Sequence, residues 1–193
     1  MLNKIIEILL SLVLLIPIFW GLHRYRFHSA KQTLLYLVFG VYLSAVYLFV
    51  GMPTVQFLRF DVSLTLIPFL PMAADFRNTL LNILLFVPLG ILLPFLWSEY
   101  RTAKAAVTFG FGMSLAIELL QILTYRATDI NDLMANTLGT AVGYGIFRMV
   151  SHWGPARAET AGKKADLSVI LASVFLVMFF LQPWLATAYY AFS

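Results

Sequence analysis

Long apolar stretches alternate with short polar connections along this chain of 193 residues. A window of about 19 residues, the length that crosses a bilayer core as an α-helix, places six apolar segments. They lie near residues 5–22, 33–52, 79–97, 103–124, 133–150 and 168–190. The pattern predicts an all-α fold, a polytopic membrane helical bundle of about six transmembrane helices.

The connection between the second and third segments differs from the others. Residues 53–77 are too polar to span a membrane, and Pro53, Pro68 and Pro71 interrupt any long helix there. Val62 to Phe69 has the β-branched and aromatic composition of extended chain. We expect an irregular re-entrant or interfacial segment over one face of the bundle.

The fifth segment has the shortest apolar centre. It carries Asp132 and Asn136 near its start and Arg148 near its end, so we expect the other helices to enclose it. Gly139 and Gly143 are spaced four apart, which lets another helix approach closely. This spacing favours a central position for the fifth helix.

Composition agrees with the segment pattern, because 61% of the residues are hydrophobic and 11% are charged. We therefore expect one integral membrane domain over residues 1–193. The chain has no cysteine, which excludes disulfides, thiolate nucleophiles and cysteine-ligated metals. The net charge of +4 does not indicate nucleic acid as a partner, since no basic run is interleaved with stacking aromatics.

The basic residues instead suggest an orientation in the membrane. Nine of the thirteen fall in alternate connections: Arg24, Arg26, Lys31, Arg101, Lys104, Arg148, Arg157, Lys163 and Lys164. Under the positive-inside rule these connections are cytoplasmic, so we expect both termini to be extracytoplasmic. The aromatic residues fit lipid and interface packing, with Trp20, Trp97, Trp153 and Trp184 near segment ends as belt residues.

The same orientation gathers the unusual polar residues at the outer face. A carboxylate near the centre of a spanning helix costs about 2.5–3.5 kcal/mol on insertion scales, so these residues need partners or a wet cavity. Helical spacing puts Ser114, Glu118 and Gln121 on one stripe. A fifth helix capped by Thr128 would align Asp129, Asp132 and Asn136 on another. The candidate ligand-binding residues are Asn78, Asn82, Glu118, Gln121, Arg126, Asp129, Asp132 and Asn136.

Three motifs carry a family resemblance. They are L-I-P-F at residues 66–69, N-x-L-L-F-V-P-L-G at 82–90, and S-x3-E-x2-Q-x4-R-x2-D-x2-D-x3-N-x2-G-x3-G at 114–143. With them the chain resembles the VanZ-like family of bacterial membrane proteins, whose eponym is linked to teicoplanin resistance. The resemblance implies a core over about 36–150, extra helices over about 5–22 and 168–190, and a multi-pass location in the bacterial cell membrane. It also places the candidate residues and Gly139 at the family's signature positions.

A polar recess beside lipid suits an amphiphilic ligand. Carboxylates can receive an amine or sugar hydroxyls, and Arg126 can hold a carboxylate or phosphate. Lipid-linked peptidoglycan precursors and lipoglycopeptide antibiotics have these groups and occur at the outer leaflet. The first hypothesis is a cell-envelope protein that binds such a molecule, or protects against it, and so lowers susceptibility to glycopeptides such as teicoplanin.

Two other classes of function stay open. A membrane-embedded hydrolase or transferase acting on a lipid-linked precursor would use Glu118 as general base and Asp129 or Asp132 as acid. A small lipid or drug transporter would use the acids as proton or ion sites. Against catalysis, no serine has a plausible histidine partner and no metal-ligand spacing occurs, so no cofactor or metal is expected. The alternative without a binding or catalytic role is that the polar residues are buried pairs that fix helix register.

Overall fold

The computed structural model describes residues 2–58, 64–65, 76–124, 128–153 and 162–192. The helices in chain order are α1 (Leu2–Leu22), α2 (Ala30–Val50), α3 (Phe76–Leu96), α4 (Ala103–Gln121), α5 (Ile130–Trp153), α6 (Lys164–Leu176) and α7 (Gln182–Phe192). A π-helical turn, His23–Phe27, extends α1, and a second one, Val177–Leu181, joins α6 to α7. Each of the six predicted segments coincides with helix, which confirms the all-α fold.

Five of the described helices are long and apolar enough to cross a membrane. They are Asn3–Phe27, Ala30–Val50, Phe76–Leu96, Ala103–Gln121 and Lys164–Phe192. The last of these runs through α6, the π-helical turn and α7 without a break. The predicted fifth segment is a helix of 24 residues, but it is not among the five. Asn131, Asp132 and Asn136 near its start and Arg148 near its end lower its hydropathy.

The chain forms two compact units, and each has its own buried residues. Unit 1 is Met1–Leu58 with Lys163–Ser193, and unit 2 is Arg59–Gly162. Each unit contains helices with membrane-spanning length and composition. The expectation of a single membrane domain stays a prediction.

Unit 1 packs α1 and α2 against each other and against the last span. Its largest fully buried side chains are Leu15, Phe19, Tyr36, Phe39, Val46, Ile170, Val177 and Met178. Ser29 caps α2 by accepting the Gln32 N–H at 3.4 Å. Gly51 ends α2 with φ 70°, a left-handed conformation that costs glycine little. The following segment returns to the last span, where the Val55 N–H donates to the Phe179 carbonyl at 3.0 Å.

Unit 2 is built around α5, which packs against α3 and α4. A Cβ atom added at Gly139 or Gly143 of α5 would meet the backbone carbonyl of Ile83 or Val87 on α3. A Cβ at Gly110 of α4 would meet the Thr140 side chain. These glycines let three helix backbones approach closely, as the four-residue spacing predicted for α5. One face of the fifth helix therefore packs closely against α3 and α4. Leu138, Val142 and Ile146 on its other face are exposed, so the expectation that other helices enclose it is wrong.

Two expectations about local structure are wrong. Helix α5 begins at Ile130, and its cap is Asp129, whose Oδ1 accepts the Asn131 N–H at 2.8 Å, so Thr128 is not the cap. Thr128 instead pairs with Leu64 in a short parallel strand pair. Trp97 is fully buried, so it is not a belt residue facing lipid, whereas Trp20 and Trp184 are exposed as belt residues are.

Most of the predicted interfacial segment lies outside the described residues. Within the described part, strand β1 (Leu64–Thr65) pairs in parallel with strand β2 (Thr128–Asp129), with Thr65 opposite Asp129. The extended conformation expected for Val62 to Phe69 is thus found at two of its residues. This pairing brings the segment to the start of α5.

Candidate functional site

The polar residues of unit 2 meet where α3 begins, α4 ends and α5 begins. Hydrogen bonds between these elements link a group that we call the polar cluster: Asn82, Ser114, Glu118, Asp129, Asn131, Asp132 and Asn136. Consecutive helices joined by short connections alternate in direction, which explains why these three ends coincide. The sequence-based expectation of converging polar stripes is thus met in this part of the chain.

Glu118 connects α4 to the start of α5. It is 3% exposed, and its Oε2 accepts the backbone N–H of Asp129 at 2.8 Å. Asp129 Oδ1 in turn accepts the Asn131 N–H at 2.8 Å and the Asn131 Nδ2 at 2.7 Å. Both acids therefore accept N–H groups at the amino end of α5, where the helix dipole favours negative charge.

Asn82 connects α3 to α5. Its Nδ2 donates to Asp132 Oδ1 at 2.6 Å, and both side chains are half-buried. Asp132 lies in the first turn of α5, one helical turn from Asp129. Two acids therefore lie on adjacent turns at the opening of α5, and a third, Glu118, bonds to the same turn.

Asn136 lies deeper in unit 2. It is 2% exposed, its Nδ2 donates to Ser114 Oγ at 2.9 Å, and its backbone carbonyl accepts from Thr140 Oγ1 at 3.1 Å. Within the described residues its side-chain oxygen Oδ1 has no hydrogen-bond donor. A buried carbonyl oxygen without a donor costs about 1–3 kcal/mol. Such an atom is a position where a ligand or water donor would be favourable.

The remaining predicted residues lie in different surroundings. Gln121 is 3% exposed at the end of α4. Asn78 lies in the first turn of α3 and is exposed. Arg126 lies outside the described residues, and its predicted role in holding a carboxylate or phosphate of the ligand stays a prediction.

Two contributors were missed by sequence reasoning. Asn131, 4% exposed, was passed over because the predicted helical stripe ran through Asp129 and Asp132. The D-x-N spacing at residues 129–131 was the available signal, since Asp side chains commonly bond the backbone two residues on. Thr140, fully buried, is the other, and only its four-residue spacing from Asn136 hinted at it.

The polar cluster presents carboxylate, amide and hydroxyl groups, a set suited to hydrogen bonding with polar headgroups. No group of three or more metal-ligating acids or histidines occurs among the described residues. The arrangement can accept N–H and O–H donors and can hold a charged group near its carboxylates.

Comparisons with known proteins give one family. The family model described as VanZ/LLP1 matches residues 8–151. Protein VanZ of Enterococcus faecium is 30% identical over 120 residues, which cover 62% of this chain and 70% of that protein. No solved structure matches. The matched residues include the whole polar cluster and stop before the last span.

Proposed function

The chain belongs to the VanZ/LLP1 family, and on that premise we propose that it is a cell-envelope protein that binds an amphiphilic ligand at the polar cluster. Through this binding it lowers susceptibility to glycopeptide or lipoglycopeptide antibiotics such as teicoplanin. The chain is a multi-pass membrane protein with five helices of spanning length and composition in its described part. The ligand therefore has an apolar portion that stays in lipid and a polar headgroup that reaches the cluster.

The observation that carries the proposal is the supply of acceptor atoms at one end of unit 2. Glu118, Asp129 and Asp132 place three carboxylates around the first turn of α5. Asn136 Oδ1 adds a buried acceptor without a donor in the described part of the chain. Aminosugar, ammonium and hydroxyl groups are the donors that such a set receives. Glycopeptides and lipid-linked peptidoglycan precursors both present groups of this kind.

A purely structural role would require fewer polar groups. Hydrogen bonds between membrane helices contribute on average about 0.6 kcal/mol, and one or two are enough to fix helix register. Here three separate hydrogen bonds connect α5, or the residue before it, to α3 and α4. One buried acceptor is still left over. That surplus favours a ligand.

The test measures protection against teicoplanin in a bacterial host that expresses the full chain. We expect Glu118→Gln and Asp132→Asn to lose protection, because each removes a charge that a cationic or hydroxyl-rich headgroup would contact. Losing one hydrogen bond to a charged group costs about 1.5–3 kcal/mol, which weakens binding about 10- to 150-fold. The matched control is Glu99→Gln, an exposed acid of unit 2 outside the cluster.

Membrane levels of each variant are compared by immunoblot, so that loss of protein is separated from loss of binding. Full protection by Glu118→Gln at equal membrane level contradicts a site at the cluster. Incubating purified protein with a lipid-linked precursor and analysing it by mass spectrometry addresses the second class of function. A new product would show that the protein is a hydrolase or transferase, with Glu118 as base, and would contradict a role in binding alone.

A further inference from the structure

Unit 1 carries its own group of charged residues, at the end where α1 stops and where α2 and α6 begin. We call this group the basic end, and it contains Arg24, Arg26, Lys31, Lys163, Lys164 and Asp166. All five basic residues are exposed, whereas Asp166 is 5% exposed. Asp166 offsets one positive charge, so the group has an excess of four.

Arg26 is held in place at the centre of this group. Its Nε donates to Asp166 Oδ1 at 2.7 Å, and its side chain is 37% exposed. Asp166 Oδ2 accepts the Lys163 N–H at 3.3 Å and lies 3.5 Å from the Tyr36 hydroxyl. Among the described residues the two Nη atoms of Arg26 donate no hydrogen bond. The Nη edge of the guanidinium is therefore held in a fixed position, and its N–H groups make no hydrogen bond within the described part of the chain.

The turn that carries Arg26 is unusual. His23–Phe27 is π-helical, and His28 then takes a left-handed conformation with φ 56°. A non-glycine residue in this region is uncommon, and π-helical turns often occur at functional sites. His23 Nδ1 lies 3.0 Å from Thr33 Oγ1, and the buried Phe27 ring contacts Tyr36 at 4.8 Å between centroids. The turn is thus fixed to α2, and its arginines stay exposed.

Two exposed aromatic residues indicate what lies beside the basic end. Trp20 is 76% exposed near the end of α1, and Tyr25 is 85% exposed in the π-helical turn. Trp and Tyr on a spanning helix concentrate at the level of the lipid headgroups. The basic residues beside them therefore lie at the membrane surface, where phosphate groups are abundant.

We propose that the basic end binds the phosphate of an anionic phospholipid headgroup, with the Nη edge of Arg26 as its central contact. A planar guanidinium matches two phosphate oxygens at once, which a lysine cannot do. Arg24 and Lys164 strengthen the attraction, and neither side chain makes a hydrogen bond or ion pair in the described part of the chain. This site is separate from the polar cluster, and Lys163, Lys164 and Asp166 lie beyond the family match. The proposed phospholipid site does not depend on the proposed function.

The experiment is native mass spectrometry of the full chain in detergent with equal amounts of phosphatidylglycerol and phosphatidylcholine. We expect phosphatidylglycerol to be retained preferentially. Arg24→Gln and Lys164→Gln should each lower that retention about fivefold, which is the effect of one cation near an anionic surface. Arg26→Lys keeps a positive charge beside Asp166 but removes the fork, and it should also lower retention.

Lys104→Gln is the matched control, because Lys104 is an exposed lysine at the start of α4 in unit 2. The proposal is overturned if both lipids are retained equally, or if Lys104→Gln lowers phosphatidylglycerol retention as much as Lys164→Gln. It is also overturned if inorganic phosphate at the lipid's concentration displaces phosphatidylglycerol, because the site would then bind a free anion. Arg24→Gln and Lys164→Gln change exposed residues, so they test the proposal even if Arg26→Lys does not fold.

Discussion

Replacing Gly143 by alanine tests the close contact between α3 and α5. The new Cβ would meet the Val87 carbonyl oxygen, and it would lie 2.9 Å from the Val87 carbonyl carbon and 3.0 Å from Gly90 Cα. Ordinary van der Waals contact begins at about 3.4 Å, and the carbonyl oxygen is the nearest of the three atoms, so the two backbones must move apart by more than about 0.5 Å. Because the obstacle is backbone, no side-chain rotation relieves it.

Gly145→Ala is the matched control on the same helix, since a Cβ there meets nothing within 4 Å. Alanine is favoured over glycine in a helix by about 0.5–1 kcal/mol, and this gain is common to both variants. Overpacking in a filled interior costs about 1–3 kcal/mol, and only Gly143→Ala incurs it. The free energy of unfolding should therefore be about 1–3 kcal/mol lower for Gly143→Ala than for Gly145→Ala.

Thermal unfolding of the purified proteins in detergent measures this difference. For a chain of this size 1 kcal/mol corresponds to about 2–4 °C, so the midpoints should differ by about 2–12 °C. A Gly143→Ala protein as stable as Gly145→Ala would refute the argument that backbone contact joins α3 to α5. The same variant should also weaken protection in the antibiotic assay, since α5 carries Asp132 and Asn136.

Two further predictions concern the polar cluster and the orientation. A double-mutant cycle with Asn82→Ala and Asp132→Asn should give a coupling energy of about 0.5–1.7 kcal/mol in thermal stability, and additive effects would show that this hydrogen bond does not join α3 to α5. Asn3→Cys in this cysteine-free chain should react from outside the cell with a membrane-impermeant maleimide, and Lys31→Cys should not. The reverse labelling pattern would place the polar cluster at the cytoplasmic face.

Hydropathy located the six long helical segments of the described part of the chain, because each apolar segment is long and its neighbours are polar. The stripe from Ser114 to Gln121 was also predictable, since residues four apart on a helix share a face, and Ser114 does bond to Asn136. The start of α5 was not, because Thr128 and Asp129 are both good cap residues, and only the hydrogen bond from the Asn131 N–H to Asp129 Oδ1 identifies the cap. Position near a segment end likewise does not tell whether Trp97 faces lipid or the interior.

The low apolar content of α5 has a consequence for biogenesis. A helix whose first turn contains Asn131 and Asp132 does not partition into lipid favourably by itself, so its entry into the bilayer must be assisted. Helices α3 and α4 are synthesised first, so Gly90 on α3 and Gly110 on α4 already form a groove when α5 leaves the ribosome. Insertion of α5 is then an assembly step, in which Asp132 loses water only as it gains the Asn82 amide of an earlier helix.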